Sequence, residues 1–343
     1  MGGLDEGAQM SSEKIKIILV TYNRCRFAEK TLKTILAEDS PVRNCDVLVL
    51  DNRSDDGTVE MVSSLMCKHQ NLRLRTNPYN VGGAGNIFKA MEAADREYVW
   101  ILGDDDEFDF SNWGGVEIAI GRKEPIICLS RDFINAFKRD TLAIRALQVS
   151  LITACIIRTE LYTPESIFDS CVNIYTLSPH MVPVFHHLNS GGDIYAVEKP
   201  VVTNGALVEQ KDMSFDRGMN GVEMSPVASG MKHAIGYAAV CNVIKDRKLR
   251  EECFMTIVYD VHGGKMRFLK MLNRYYRQVR MIPLLALVAA VAPVDVALAV
   301  RLMIFMGRPS FVSRCLCRLR VAIGRKRDRR RFESVVRWNS RFA

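Results

Sequence analysis

The amino-acid sequence predicts an α/β protein built on a doubly wound, mostly parallel sheet with helices on both faces. Strand-like and helix-like segments alternate four times between residues 15 and 102. This spacing is typical of parallel strands joined by right-handed crossovers. Polar and acidic residues follow the predicted strands, and such sheets bind ligands at the carboxyl ends of their strands. The first hundred residues therefore predict both the fold and the edge of the sheet that carries the site.

The individual elements follow from local patterns. The run Ile15–Val20 is continuously aliphatic, which is typical of a strand buried on both faces. The pattern then predicts strands at residues 47–50, 72–75 and 98–102, and helices at 27–37, 59–66 and 84–94. Further along, it predicts strands at 126–129 and 194–202, a helix at 179–188, and either a strand or a helix start at 151–157. Residues 226–280 have a helical pattern.

The chain is expected to divide into a sheet domain, residues 1–225, and a helical, apolar and basic region, residues 226–343. The net charge is +8, but residues 307–343 hold twelve Lys and Arg against two acidic residues, a net of +10, so the other 306 residues sum to −2. A basic tail of this kind predicts binding to an anionic membrane surface. It brings no aromatic platform or base-reading motif, so no nucleic-acid partner is expected.

An apolar segment precedes that tail. Residues 281–300 carry one charge, Asp295, and are just long enough to span a bilayer. Pro283, Pro293 and Asp295 would be costly in mid-membrane, which favours an interfacial or re-entrant position. The alternative is a buried hairpin or the interface of a homo-oligomer. Ten cysteines without zinc-like spacing, and no signal-like apolar core before Lys14, predict a cytoplasmic protein peripheral to the inner face of the cell membrane.

The strongest local signal is the acidic turn Gly103-Asp104-Asp105-Asp106, which directly follows the apolar run 98–102. Three adjacent carboxylates repel one another, and a divalent metal held by one or two of them keeps positions open for phosphate oxygens. The alternative is a solvated acidic turn. We expect Asp104 and Asp106 to make the ligand contacts, and Asp105 to point away and support the turn.

Two further segments have a ligand-binding and a structural interpretation. Asp51 closes the second strand and can contact a base or a ribose, or cap a helix, although Asp55 or Asp56 would cap it better. The glycine-rich segment 80–86 allows the backbone to approach a ligand closely, or forms a tight turn. It lacks the lysine of a phosphate-binding Walker loop.

The acceptor side of a transfer reaction needs a base. Asp169 is one of few carboxylates between residues 141 and 192, together with Glu160 and Glu165. His180 lies near a predicted helix start, where a lone histidine is usually structural. The residues alone leave Asp169 as a candidate base.

Four motifs together resemble glycosyltransferase family 2, the inverting enzymes of the GT-A fold, and its O-antigen and rhamnosyltransferase-like members in particular. They occupy residues 18–24, 49–58, 80–86 and 100–106. The resemblance covers residues 15–106 well, 110–205 loosely and nothing after 226. It implies a hexosyl- or deoxyhexosyltransferase that uses a nucleoside-diphosphate sugar and Mn²⁺ or Mg²⁺. The implied acceptor is a lipid-linked sugar or a glycan in cell-surface polysaccharide synthesis.

The resemblance also implies roles for single residues. Asp104 and Asp106 would be the outer residues of the D-x-D motif, one reaching the ribose and the other the metal. The remaining donor contacts would come from Thr21, Tyr22, Asn23, Asp51, Asn80 and Gly82.

On the acceptor side, the segment Ser178-Pro179-His180 resembles a Tyr-Pro-His stretch of O-antigen-type members, which places His180 in the active site. The Glu-Asp pair that carries the base in many members is missing between residues 141 and 225. Asp169 is therefore the first candidate base and Glu165 the second. The implied reaction is a single in-line displacement with inversion.

Two other classes of protein share parts of this sequence pattern. A sugar-phosphate nucleotidyltransferase usually has a basic glycine-rich loop after the first strand, and the segment 21–24 offers none. A non-catalytic membrane- or nucleic-acid-binding protein would use the basic tail, with the sheet as a scaffold. That hypothesis predicts that replacing Asp104 and Asp106 by Asn leaves function intact.

Overall fold

A computed structural model describes residues 13–203, 234, 236–261, 288, 292 and 296–306 of the 343-residue chain. The strands are β1 (Ile15–Thr21), β2 (Asp46–Asp51), β3 (Leu72–Thr76), β4 (Tyr98–Leu102), β5 (Glu107–Phe108), β6 (Ile126–Cys128), β7 (Cys155–Arg158), β8 (Tyr195–Ala196) and β9 (Val202–Thr203). The α-helices are α1 (Cys25–Ile35), α2 (Thr58–Met66), α3 (Gly83–Glu92), α4 (Gly114–Gly121), α5 (Asp132–Phe137), α6 (Leu142–Gln148), α7 (Pro164–Val172), α8 (Met181–Asn189), α9 (Arg247–Met255) and α10 (Val296–Met306).

Seven strands form one sheet in the order β3-β2-β1-β4-β7-β6-β8. The strands β3, β2, β1 and β4 are parallel, β7 runs antiparallel to both of its neighbours, and β8 is parallel to β6. The predicted mixed α/β fold with a mostly parallel sheet is therefore confirmed.

The structure also settles the less regular middle of the chain. The segment predicted as a strand or a helix start is a short 3-10 turn, Ile152–Ala154, followed by β7. The single strand predicted at 194–202 is wrong: β8 belongs to the large sheet, whereas β9 pairs with β5 in a separate two-stranded sheet. Pro200 lies between them, and proline has no N–H to donate to a ladder, so the strand is interrupted there.

Side chains alternate between the two faces of the sheet and form a core on each. In β1, Ile18 and Val20 face one core, whereas Ile15, Ile17 and Leu19 face the other. All seven residues of β1 are buried. The continuous aliphatic run is explained by this double burial, since helices cover both faces.

The described residues after 233 pack into the first of these cores. Tyr237 and Phe254 are fully buried there together with Ile18, and the Tyr237 ring lies 6.3 Å from the Phe185 ring on α8. Described residues on both sides of the predicted division at residue 225 thus belong to one apolar cluster, and the division itself stays a prediction. Of the apolar segment 281–300, the structure describes 288, 292 and 296–300, and the basic tail 307–343 lies outside the described residues, as does most of the membrane-associating region. Within the described chain, no helix combines the length and the apolar character needed to cross a bilayer.

Strand register brings the loops that carry the predicted motifs to one edge of the sheet. Thr21 at the end of β1 pairs with Asp51 at the end of β2, and Asp51 pairs with Thr76 at the end of β3. On the other side of β1, Leu19 pairs with Leu102, the last residue of β4. The end of β4 thus lies level with Leu19, two residues before the end of β1, so the acidic turn starts beside the loop after β1 at the carboxyl edge.

Candidate active site

The acidic turn is held by a cation from the protein itself. The Arg24 guanidinium lies between two of the carboxylates, with Nε 2.8 Å from Asp104 Oδ1 and Nη2 2.8 Å from Asp105 Oδ2. The same guanidinium lies 4.3 Å from the centre of the Phe27 ring. The expectation that Asp105 points away from Asp104 is therefore wrong, because Arg24 bridges the two carboxylates. Its expected role in supporting the turn stays a prediction.

Asp104 is the most enclosed carboxylate of the turn. It is 5% exposed, and the Thr21 hydroxyl donates to its Oδ2 at 2.7 Å. Burial raises the pKa of Asp104 to about 7, against the opposing effect of the Arg24 charge and the Thr21 hydroxyl. Both oxygens of Asp104 thus have a protein partner. Such partners are needed because a buried carboxylate is costly to keep ionised without them.

Backbone contacts fix where the turn starts. The Gly103 N–H donates to Thr153 Oγ1 at 2.8 Å, and the Trp100 indole N–H donates to the Thr153 carbonyl at 2.8 Å. A methyl group at Gly103 would lie 3.5 Å from Asp105 Oδ1, from Asp106 Oδ2 and from Thr153 Oγ1. Oxygens of two carboxylates therefore converge over Gly103, an oxygen-only donor set that suits a hard divalent cation.

The loops after β1 and β2 are tied together. Asn23 has a left-handed backbone (φ 52), its N–H donates to Ser54 Oγ at 2.8 Å, and its Oδ1 accepts from the Asp55 N–H at 2.9 Å. Asp56 accepts from the N–H of Cys25, the first residue of α1, at 2.9 Å. Asn23 is predicted to line a nucleotide pocket, and in this structure its side chain holds the neighbouring loop.

Asp51 lies in the same region but is fully buried. Its carboxylate accepts from the backbone N–H groups of Arg53 and Ser54, both at 3.1 Å. Arg53 has a left-handed backbone (φ 73), a conformation that residues other than glycine rarely adopt. The Asp51 carboxylate therefore stabilises an unusual turn. Its predicted contact with a base stays a prediction.

A network of asparagine side chains supports the glycine-rich segment. Asn52 donates to Asn80 Oδ1 at 2.7 Å and accepts from the Val81 N–H at 3.0 Å. Asn77 donates to both Asn52 and Asn86, at 3.1 and 2.9 Å. Asn80 Oδ1 also accepts from the N–H of Gly82, which has φ 78 and leads into α3.

These residues line a cleft at the carboxyl edge. Its lining comprises Val20, Thr21, Tyr22, Asn52, Asn80, Gly82, Gly83 and Asn86. Four of the residues predicted to contact a donor, namely Thr21, Tyr22, Asn80 and Gly82, therefore meet in one place. Thr21 connects the cleft with the acidic turn, because its hydroxyl bonds to Asp104.

The two predicted catalytic residues lie in different surroundings. His180 is 4% exposed, and its Nε2 lies 3.0 Å from the Ser150 carbonyl, three residues before Thr153. Because a carbonyl only accepts, Nε2 carries a proton and donates it to this carbonyl. His180 is thus connected through the segment 150–153 to Gly103.

Asp169 lies on α7, where its Oδ2 is 2.9 Å from His186 Nε2 on α8. Glu165 is close by, and ligand-type atoms of these three side chains lie within 4.8 Å of one another. These three side chains form a partly exposed polar cluster between the two helices.

Four contributors to the site were not predicted: Arg24, Asn52, Asn86 and Thr153. Arg24 offered a signal, because it and Arg26 are the two basic residues between the first predicted strand and the helix predicted at 27–37. Thr153 lies 50 residues from its partner Gly103, and nothing in the local pattern marks it.

Comparison with known proteins agrees with this geometry. Residues 16–180 match the family model of glycosyl transferase family 2. The abequosyltransferase RfbV of Salmonella typhimurium is 31% identical over 94 residues, which are 27% of this chain and 28% of that protein. The GalNAc(5)-diNAcBac-PP-undecaprenol beta-1,3-glucosyltransferase of Campylobacter jejuni is 32% identical over 95 residues, 27% of this chain and 30% of that protein. The matches thus span less than a third of these relatives.

Two solved structures share the fold with a TM-score of 0.53. One is the mannosyltransferase PcManGT of Pyrobaculum calidifontis in complex with GDP-Man and Mn²⁺, 16% identical, with 86% of each chain covered. The other is S. aureus TarS 1–349 in complex with UDP-GlcNAc, 13% identical, with 82% of this chain and 88% of that one covered. The segment 16–180, just under half of the chain, therefore has the sequence of a glycosyltransferase family 2 domain.

Proposed function

We propose that this protein transfers a sugar from a nucleoside-diphosphate sugar to a lipid-linked or glycan acceptor in polysaccharide synthesis, with inversion and with a divalent cation. The observation that carries the proposal is the hydrogen bond from Thr21 to Asp104. It joins a small polar cleft, lined in part by asparagine and glycine residues, to a turn of acidic residues. In this proposal the nucleoside lies against the mouth of the cleft and the diphosphate reaches the turn.

The residues of the turn suit Mn²⁺ or Mg²⁺. Asp106 is the carboxylate that we assign to the cation, because its Oδ2 lies near Gly103, as does Asp105 Oδ1. Asp104 and Asp105 can join it as ligands only if they leave Arg24. Asp104, enclosed beside Thr21, is placed to meet the ribose end of the donor. When bound, the cation would offset the negative charge that grows on the departing diphosphate. Mn²⁺ also accompanies GDP-Man in the mannosyltransferase of similar fold.

The acceptor side is served by His180 in this proposal. With Nε2 donating to the Ser150 carbonyl, Nδ1 is the nitrogen that we propose takes the proton of the acceptor hydroxyl, once the acceptor reaches this buried ring. The acceptor oxygen then bonds to the anomeric carbon as the bond from that carbon to the diphosphate breaks, which inverts the centre. Asp169 stays the alternative base, although its carboxylate is bonded to His186.

Replacing His180 by Asn separates this role from donor binding. We expect the variant to keep its affinity for the donor nucleotide and to lose transfer activity by about 10²- to 10⁴-fold, the usual contribution of a general base. The matched variant Asp169→Asn should lose less than about tenfold. Initial rates across the pH range measure both. If Asp169→Asn abolishes transfer and His180→Asn does not, the two roles are reversed.

We further propose that the protein works at the inner face of the cell membrane. The support is the net charge of +10 over residues 307–343 and the undecaprenol-linked substrate in the name of the Campylobacter relative. The full chain should float with vesicles that contain anionic phosphatidylglycerol and not with pure phosphatidylcholine vesicles. Added salt should reverse the binding, because charge attraction is screened. Equal binding to both vesicles would contradict the electrostatic part of this proposal.

A thermal-shift screen of UDP-, dTDP- and GDP-sugars with and without Mn²⁺ tests the proposed function. One nucleotide class should raise the melting temperature, because a ligand that binds the folded state stabilises it. The shift should require Mn²⁺ and disappear in Asp106→Asn.

The matched control is Asp39→Asn. Asp39 is an exposed carboxylate that follows α1 at the opposite edge of the sheet, so its replacement should leave the shift unchanged. The absence of a shift with every nucleotide, or an equal shift in Asp106→Asn, would count against the proposal.

A further inference from the structure

The Arg24 guanidinium is buried and contacts two carboxylates and an aromatic ring, which is more than is needed to hold a loop in place. Its side chain is only 4% exposed, and its guanidinium reaches two different carboxylates at 2.8 Å. The Phe27 ring covers one face of the guanidinium at 4.3 Å. A planar group with a fixed fork of donors can hold two carboxylates at once, which a lysine cannot do.

The sequence around the turn is strongly acidic. Residues 104–107 are four consecutive acids. Among the described ion pairs, Arg24 contacts Asp104 and Asp105, and Lys30 contacts Glu107 at 3.3 Å. Arg24 is thus the basic side chain that bridges two neighbouring carboxylates of the turn.

We propose that Arg24 is an internal counter-cation that competes with the divalent ion for Asp104 and Asp105. The inference rests on the proposed function and deepens it. Arg24 donates a hydrogen bond to Asp105 and makes a close ion-pair contact with Asp104. Carboxylates engaged in this way cannot become metal ligands without giving up those contacts. The nucleotide-free protein therefore binds the ion weakly, and the ion enters together with the diphosphate, whose oxygens supply the missing ligands. Arg24 is in this sense a positioning residue that sets the order of binding.

The test is a Mn²⁺ titration of the full chain without nucleotide, in which the relaxation of water protons reports protein-bound Mn²⁺. Arg24→Gln keeps much of the side-chain length but removes the charge, so Asp104 and Asp105 become available. We expect this variant to bind Mn²⁺ about tenfold more tightly than the wild type. A merely structural role for Arg24 predicts unchanged or weaker binding, and either result from a folded variant would overturn the proposal.

Lys30→Gln is the matched control. It removes a positive charge from α1, the helix that directly follows Arg24. Among the described ion pairs, Lys30 pairs only with Glu107. The affinity of this variant for Mn²⁺ should stay within about twofold of the wild type. An increase as large as that of Arg24→Gln would show a general charge effect and would overturn the specific role. Circular dichroism checks that each variant is folded.

Arg24→Lys decides the matter if Arg24→Gln does not fold. It keeps the charge but cannot bridge two carboxylates, so Mn²⁺ affinity without nucleotide should rise by about threefold. Unchanged affinity would overturn the proposal. These titrations contain no nucleotide, so they are independent of the thermal-shift screen: if the screen fails and the titrations succeed, the proposed function is wrong while the competition stands.

Discussion

At the scale of single residues, the chemistry of the acidic turn depends on which group contacts each carboxylate. Asp104 meets Arg24 and Thr21, and Asp105 meets Arg24. The motif identified the turn, but its partner Arg24 lies 81 residues from Asp105 in sequence. An ion pair over such a separation depends on strand order, so it could not be predicted from a local pattern.

The environment of Asp104 predicts a pH dependence of folding stability. An Asp carboxyl in an unfolded chain has a pKa of about 3.9. In the folded protein, burial raises the pKa of Asp104 to about 7. Between these values the folded state binds more protons than the unfolded state. The contribution of Asp104 to stability is therefore greatest below about pH 4, falls as the pH rises to about 7, and is constant above that.

Urea unfolding of the wild type and of Asp104→Asn, both in the presence of chelator, measures this effect. Asparagine does not titrate, so the variant removes the dependence. We expect the free energy of unfolding of the wild type, relative to the variant, to fall by at most about 1.4 kcal/mol per pH unit in this window. A difference that does not change with pH would mean that Arg24 keeps Asp104 ionised throughout.

At the scale of elements, the helix α3 is docked by polar contacts rather than by apolar packing alone. Asn86 on α3 donates to the Leu50 carbonyl of β2 at 3.0 Å and accepts from Asn77 at 2.9 Å. Such buried bonds matter because an unpaired buried polar group is costly. They hold the glycine-rich segment, and with it Asn80 and Gly82, against the strand ends.

Replacing Asn86 by Ala should therefore lower the free energy of unfolding by about 2–4 kcal/mol, since two buried hydrogen bonds are lost. The exposed residue Glu92 on the same helix is the control, and Glu92→Ala should change stability by less than about 0.5 kcal/mol. Urea denaturation followed by circular dichroism measures both. Equal effects at the two positions would show that the asparagine network contributes nothing specific.

The elements that could be predicted are those whose patterns are local. The strand β1 is a continuous aliphatic run, and double burial is the simplest reason for one. The strands β8 and β9 each have two residues, and their pairing with β6 and β5 depends on positions far away in sequence. The pattern over 194–202 therefore predicted one strand where the chain changes from one sheet to another.

At the scale of the whole molecule, the described parts on both sides of the gap 204–233 share one core. Phe254 is 1% exposed and belongs to the same apolar cluster as Ile18 and Val20 of the first strand. The sequence predicted a division at residue 225 from a change of composition, which indicates where the pattern changes but not where the core ends. Cooperative unfolding of both parts follows from the shared core.

Phe254→Ala tests this cooperativity. We expect a loss of about 3–5 kcal/mol, the usual cost of removing a buried phenylalanine, with a single transition seen by both tryptophan fluorescence and circular dichroism. The neighbouring Met255 is 37% exposed, and Met255→Ala should cost less than about 1 kcal/mol. Two separate transitions in the wild type would instead support independent domains.

The central claim is that the protein consumes a nucleoside-diphosphate sugar at the acidic turn. The most direct measurement is the release of nucleoside diphosphate from UDP-, dTDP- and GDP-sugars by the full chain, mixed with a membrane extract that contains lipid-linked acceptors. One nucleotide class should be consumed in Mn²⁺, and not with chelator or with Asp106→Asn. Consumption of none of them, or equal consumption by Asp106→Asn, would contradict the claim.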